Sequence, residues 1–303
     1  MSTLVVGSGF VGTGIARRLV AAGDAVTLVS RGRPADPPEE YGARWAALDA
    51  TDARACGRLV ARLRPRRIVL VHGPSDVTWC EAHPAEAELA HSSVAAAFAG
   101  LGGRARVVMI STDNVFDGTS PRNTEATSVS PANAYGRAKH RAEQVLLARA
   151  ADALALRVSL VYGHEPADAG KWLNYFAACA HRLRAGERVE APDDQWTTPV
   201  HVEDVAEVVA ALLSCPTPLP PVLHLGGPDR VSRAEWATVI ARSLGLPAAL
   251  VVPVPKAGSR YASRPRNACL AGDLLGTLPA TRDIPIRGVV EGAHDLTAVF
   301  ASS

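Results

Sequence analysis

The stretch LVVGSGFVGTG near the N-terminus constrains the fold most: an apolar run from Leu4 to Val6 ends in Gly7, Gly9 and Gly12 spaced as G-x-G-x-x-G, and TGIARRLVAA then reads as a helix. Glycine is required where such a strand–helix turn is tight, where backbone must approach a pyrophosphate, and where helix packs on strand; the helix N-terminus then offers oriented N–H groups to the anion. Gly7, Gly9, Phe10, Val11 and Gly12 are therefore expected to hold a dinucleotide, the alternative being a merely flexible turn. AVTLVS, RRIVLV, ELAHSSVAAAFAG, RVVMIS and AYGRAKHRAEQVLLARA continue the alternation of short β-branched runs with helical stretches. That pattern predicts a parallel sheet covered by helices on both faces, an α/β doubly wound fold of the Rossmann type.

At 303 residues and 48% hydrophobic, the chain can bury one large core or two smaller ones. The expected organisation is a dinucleotide-binding domain over 1–162, with segments of about 193–227 returning to it, and a smaller, interleaved substrate-binding lobe from 163–192 and 228–303. VLHLGG is expected to rejoin the sheet. Beyond Pro228 one helix is expected, SRAEWATVIARSLG with Ser232 as N-cap, followed by a Pro/Gly-punctuated segment. A net charge of +2 gives no electrostatic footprint for nucleic acid or an anionic membrane, which leaves a small-molecule substrate. Cys56, Cys80, Cys179, Cys215 and Cys269 are scattered, never Cys-x-x-Cys, so neither disulfides nor a metal site is indicated and reduced core thiols are expected. With no apolar run near the length of a membrane span and no basic leader, a cytoplasmic protein is expected. An arginine-rich, lysine-poor composition points to a GC-rich bacterial genome. Oligomeric state, a homodimer included, is left open.

The end of the second strand decides the cofactor. An acidic residue there would accept from the adenosine ribose of NAD, but the chain reads Arg31-Gly32-Arg33. A guanidinium suits a 2′-phosphate, so NADP is expected and NAD is the alternative; both arginines could equally be solvated loop charges. Asp49, after a third strand, could accept from an adenine amino group or cap a helix.

Tyr135 and Lys139 are four apart in a segment that reads as helix from about Asn133, hence on one face. With five tyrosines and three lysines, an accidental Tyr-x-x-x-Lys is expected only roughly 0.05 times. A neighbouring ammonium should bring a phenol down from its usual value near ~10 toward a useful range, and a compact ammonium can also reach a ribose hydroxyl. Upstream, RVVMIS runs into Ser111-Thr112-Asp113 at the carboxyl edge of the sheet, where a hydroxyl can donate to a carbonyl oxygen as charge develops; Thr112 is favoured over Ser111.

Together these residues resemble the extended short-chain dehydrogenase/reductases, and within them the dTDP-4-dehydrorhamnose reductase family. The resemblance runs through GSGFVG, STDNVFDG (the family's S-T-D-Y-V-F-D-G with Asn114 for tyrosine), NTEATSVSPANAYGRAKHRAEQ, LRVSLVYG, DDQWTTPVHVEDVAE and SRPRNACL. It implies Thr112, Tyr135 and Lys139 as catalytic triad and a C-terminal lobe that binds a nucleotide-sugar, with contacts from Asn174, Gln195, Trp196 stacking on a base or sugar, and Arg264 holding a diphosphate. The function implied is NADPH-dependent reduction of a keto group on a nucleotide-linked deoxysugar. Two alternatives are an epimerase that retains its dinucleotide and a non-catalytic NADP-binding regulatory subunit. Dehydration is disfavoured because Asn114, not glutamate, follows Asp113. The chain departs from the family in a glycine turn one residue tighter, in His72 and Pro74 beside the expected nicotinamide position, and in His91 where asparagine is common.

Overall fold

The computed structural model describes residues 1–101, 103, 105–169 and 172–301. Strands β1 (Ser2–Val6), β2 (Ala25–Ser30), β3 (Arg44–Ala47), β4 (Arg67–Leu70), β5 (Arg106–Thr112) and β6 (Ala153–Val158) alternate with helices α1 (Phe10–Ala21), α2 (Ala53–Leu63), α3 (Val77–Ala82), α4 (Pro84–Leu101) and α5 (Ala134–Arg149). There follow β7 (Val161–Tyr162), α6 (Tyr175–Arg184), β8 (Val189–Pro192), β9 (Trp196–Thr197), β10 (Val200–His201), α7 (Val202–Ser214), β11 (Val222–Leu225), β12 (Val231–Ser232), α8 (Arg233–Ser243), β13 (Val251–Val254), β14 (Asn267–Ala268) and α9 (Val289–Ala301).

Seven strands form one parallel sheet in the order β11-β6-β5-β4-β1-β2-β3. Its central strands β1, β4 and β5 read as largely apolar runs because both faces are covered, whereas β3 at the edge stays partly exposed. Along β1 the side chains alternate: Val5 joins the core shared by α1 and α7, whereas Leu4 and Val6 join the core shared by α2, α4 and α5. Burying each such side chain contributes about 1.5–3 kcal/mol. A separate apolar cluster, centred on Tyr162, Phe176, Trp236 and Phe300, lies among α6, α8 and α9. VLHLGG does return: β11 pairs with β6, placing His224 opposite Arg157.

Local chemistry explains several boundaries. Asn133 caps α5 by accepting from the Gly136 N–H, and Ser232 caps α8 in a reciprocal box with Glu235. The tail differs from expectation, since α9 follows α8; Val289, Ala293, Leu296 and Phe300 recur at helical spacing and are buried. Of the cysteines, all five are free and Cys215, at the end of α7, is partly exposed rather than in the core.

In this strand order the chain changes direction between β1 and β4, and ligands bind at the carboxyl ends of the strands flanking such a point. The two ends touch closely: a Cβ on Gly7, whose φ is +116°, would lie 2.1 Å from the Val71 carbonyl oxygen, and one on Gly12 would lie 2.0 Å from the Gly7 oxygen.

Candidate active site and cofactor cleft

Gly9 differs from its neighbours. It is the N-cap of α1, no side chain caps that helix end, and a Cβ built there meets nothing within 4 Å. The first N–H groups of α1 thus face open space over the switch point, a cradle whose chemistry fits a pyrophosphate. At the end of β2, Arg33 is drawn to Glu39 (2.7 Å) and lies over Trp45, while Arg31 makes no hydrogen bond or ion pair among the described residues. Asp49 is exposed, and its Oδ1 accepts from the backbone N–H and hydroxyl of Thr51; the cap of α2 is Asp52.

At the carboxyl end of β5 the two hydroxyls part company. Ser111 donates to buried Glu143, which is paired with buried Arg157 at 2.8 Å. Thr112, also buried, turns instead to Asp113 and Asn114, with its Oγ1 3.2 Å from Asp113 Oδ1. Against the burial that pushes it up, hydrogen bonds from His140 and Arg157, the Arg157 charge and the Ser111 hydroxyl bring Glu143 down to about 2. On α5, Tyr135 and Lys139 occupy one face, and Thr112 is near enough to hydrogen-bond the Tyr135 phenol.

The electrostatics of that face overturn one expectation. Burial, and after it the Asp113 carboxylate, raise the Tyr135 phenol above its ordinary value, outweighing the Thr112 hydrogen bond. Lys139 is not among the groups that act on it; its ammonium donates to the Ile110 carbonyl (2.9 Å), and burial lowers Lys139 itself to about 8. Asp113 is pushed up to about 6 by burial, opposed by Ser159, Thr112, Asn114 and Arg233. Behind the face, His72 Nε2 donates to the His91 carbonyl (3.2 Å) and His91 Nε2 to the Pro74 carbonyl (3.1 Å), leaving both Nδ1 atoms buried without a hydrogen-bond partner among the described residues. Burial, then the Lys139 charge, holds His72 at about 3 and His91 at about 2, so both rings are neutral at physiological pH.

The expected substrate residues divide. Arg264 stands in a cationic cluster: the guanidiniums of Arg233, Arg264 and Arg260 lie 4.3, 5.2 and 5.6 Å from the centre of the Tyr261 ring, and Arg260 also covers Trp172 at 4.0 Å. None of the three has a carboxylate within ion-pair distance among the described residues, and burial followed by the Arg233 charge lowers Arg264 to about 10. Buried Gln195 orients the cluster by accepting from Arg233 Nε (2.6 Å) while donating to the Pro265 carbonyl. Asn174 is spent structurally: Oδ1 caps α6, and Nδ2 donates to Gly163 and Glu165. Trp196, on a strand whose side chains alternate, points away from Gln195 and stacks under Arg230 at 4.0 Å. It lines a separate surface cleft with Asp117, Arg266 and Asn267. Asp113, Asn114 and Arg233 were not singled out from the sequence as site residues; only the adjacency of Asp113 and Asn114 to Thr112 could have flagged two of them, and Arg233 has no linear signal.

A doubly wound sheet with a glycine cradle at its switch point and Thr112, Tyr135 and Lys139 at the neighbouring strand end defines an extended short-chain dehydrogenase/reductase, a class of NAD(P)-dependent oxidoreductases. Residues 1–287 match the RmlD substrate binding domain family, and the chain belongs to that family. It is 33% identical over 220 residues to the dTDP-4-dehydrorhamnose reductase of Mycobacterium tuberculosis, covering 69% of this chain and 68% of the relative. It is 28% identical over 254 residues to methionine adenosyltransferase 2 subunit beta of Rattus norvegicus, covering 80% of this chain and 74% of the relative. A solved dTDP-4-dehydrorhamnose reductase from Clostridium acetobutylicum superposes with a TM-score of 0.82 at 22% identity, covering 99% of this chain and all of the other, which shows the shared fold.

Proposed function

We propose that the chain is an NADPH-dependent reductase of a 4-keto group on a nucleotide-linked deoxysugar. The observation that carries this reading is the cationic cluster of Arg233, Arg260 and Arg264, which has no carboxylate within ion-pair distance among the described residues and whose Arg233 acts on Asp113 beside Thr112. Three guanidiniums crowded on one ring, with the carboxylates of Asp113 and Asp76 acting on them only from beyond ion-pair distance, fit a diphosphate, whose binding relieves their mutual repulsion. Residues 1–162 with 193–227 would form the cofactor half, and 163–192 with 228–303 the substrate half.

NADPH, when bound, supplies the hydride. The backbone N–H groups at Gly9 to Val11 would hold its pyrophosphate, Arg31 its 2′-phosphate, and Lys139 a ribose hydroxyl. Thr112 donates to the carbonyl oxygen as negative charge develops there. Tyr135 then gives that oxygen its proton, its surroundings keeping the phenol in the protonated form that a donor needs.

The test is NADPH consumption with dTDP-4-dehydrorhamnose and other dTDP-4-keto sugars. Turnover with at least one of them is expected. The likeness to a protein named as a subunit of methionine adenosyltransferase 2 keeps one other reading in play, a non-catalytic NADP-binding subunit; tight NADPH binding with no turnover across that panel would select it. Purification with tightly held NAD, together with interconversion of sugar epimers, would select the epimerase.

A further inference from the structure

We propose that Asn114 is a positioning residue that frees the Thr112 hydroxyl hydrogen for the substrate, an inference that rests on the reductase reading. A hydroxyl has one hydrogen to give and two lone pairs to fill. Both lone pairs of Thr112 Oγ1 face Asn114, whose backbone N–H and Nδ2 each donate to it at 3.2 Å. With both lone pairs filled by Asn114, the one hydrogen of Thr112 points outward as a donor, to Asp113 Oδ1 at 3.2 Å or to the Tyr135 phenol oxygen within hydrogen-bonding reach.

For Thr112 to donate to a carbonyl oxygen, that hydrogen must leave Asp113. The cost is leaving a buried carboxylate oxygen without a donor, which is expensive. Asn114 Nδ2 removes the cost, because it also reaches Asp113 Oδ1, at 2.8 Å, closer than Thr112 does. The other carboxylate oxygen lies 3.0 Å from the Ser159 hydroxyl, which is shared with the Ala268 carbonyl at 3.0 Å and is untouched by the turn of Thr112. When the threonine hydrogen turns to the substrate, Asp113 stays satisfied. A tyrosine at this position, as in the motif that STDNVFDG resembles, keeps the backbone N–H but has no side-chain amide to donate to both oxygens.

Asn114 is itself locked. Its Oδ1 accepts from Asn133 Nδ2 at 2.9 Å, and Asn133 is the residue that caps α5 two positions before Tyr135. Its carbonyl oxygen abuts Gly136, where a Cβ would come within 2.0 Å. One amide thus ties the donor corner at Thr112 to the helix end that carries Tyr135.

The test compares Asn114→Ala and Asn114→Gln with wild type by kcat, KM and the titration midpoint of Asp113, followed by carbon NMR of its carboxyl. The charged or titratable groups facing Asp113 are Tyr135, Arg233 and Cys269, which the variants leave in place. For Asn114→Ala, kcat should fall about tenfold to a hundredfold, less than the loss of an oxyanion donor outright, with KM within about twofold and the Asp113 midpoint moved upward. Asn114→Gln, which keeps the amide, should recover part of both. Unchanged kcat with an unmoved midpoint overturns the inference, as does a fall in kcat without a midpoint shift, which marks a merely structural role. If the wild type reduces no keto sugar, the reductase reading fails, while the midpoint still decides: an upward shift in Asn114→Ala supports the hydrogen-bond role, and no shift overturns it.

Discussion

Replacing Gly9 with alanine should separate cofactor binding from folding. The backbone at Gly9 has φ −74° and ψ −176°, which alanine adopts freely, and its Cβ would meet no atom within 4 Å. Alanine is a poorer N-cap than glycine by a few tenths to about 1 kcal/mol, and it recovers about 0.4–1 kcal/mol by restricting the unfolded chain. The two nearly cancel, so Tm should move by no more than about 2 °C. The methyl group, however, would stand over the N–H groups proposed to receive the pyrophosphate. Losing even one charge-assisted hydrogen bond costs about 1.5–3 kcal/mol, roughly ten- to a hundredfold in Kd. Gly12→Ala is the contrasting control: its Cβ would fall 2.0 Å from the Gly7 oxygen, and a backbone clash inside a packed turn should cost several kcal/mol of stability. Thermal unfolding and NADPH fluorescence titration read the two effects. Wild-type NADPH affinity in Gly9→Ala would refute the assignment of this turn as the anion cradle.

Three further outcomes are expected. Arg31→Ala should weaken NADPH about tenfold or more and leave NADH nearly unchanged; Arg33→Ala should do less, because Arg33 is engaged with Glu39 and Trp45, and equal NADPH and NADH affinities in the wild type would remove the argument. Glu143, held at about 2 against an ordinary 4.5, contributes stability that is present above its unfolded value and lost as pH falls through 2; that is about 3 kcal/mol, and urea unfolding of Glu143→Gln should show a flattened acid limb. Arg264→Ala should weaken binding of a dTDP-sugar about tenfold by calorimetry with NADPH unaffected, and an unchanged affinity would move the diphosphate elsewhere.

What was legible in the sequence was what is local. Gly7 to Gly12, the strand–helix alternation, a helix beginning near Asn133, the cap at Ser232, and the Tyr135–Lys139 spacing each show in a few consecutive residues. What escaped depends on neighbours distant in the chain. Helix α9 hides behind Gly292 and β-branched valines of low helix propensity, and forms because Ala293, Leu296 and Phe300 bury against α6 and α8. The phenol of Tyr135 is raised rather than lowered because burial and Asp113 act on it while Lys139 is directed to Ile110. Asn174 and Trp196 sit in recognisable motifs, yet one is consumed as a helix cap and the other is turned outward by strand alternation. Arg233 joins the cluster only when α8 folds back over Tyr261.

The most direct measurement is the single-turnover rate of Tyr135→Phe with NADPH and the keto sugar that the wild type reduces. Only one hydroxyl is removed from a helix that stays capped by Asn133, so NADPH affinity should stay within about twofold of wild type while the rate falls about 10²- to 10⁴-fold, the contribution of a positioned general acid. His72 and His91, held neutral by burial, cannot serve as imidazolium donors in its place. A Tyr135→Phe enzyme that reduces the same keto sugar at the wild-type rate would contradict the assignment of Tyr135 as the proton donor, and with it the proposed reductase mechanism.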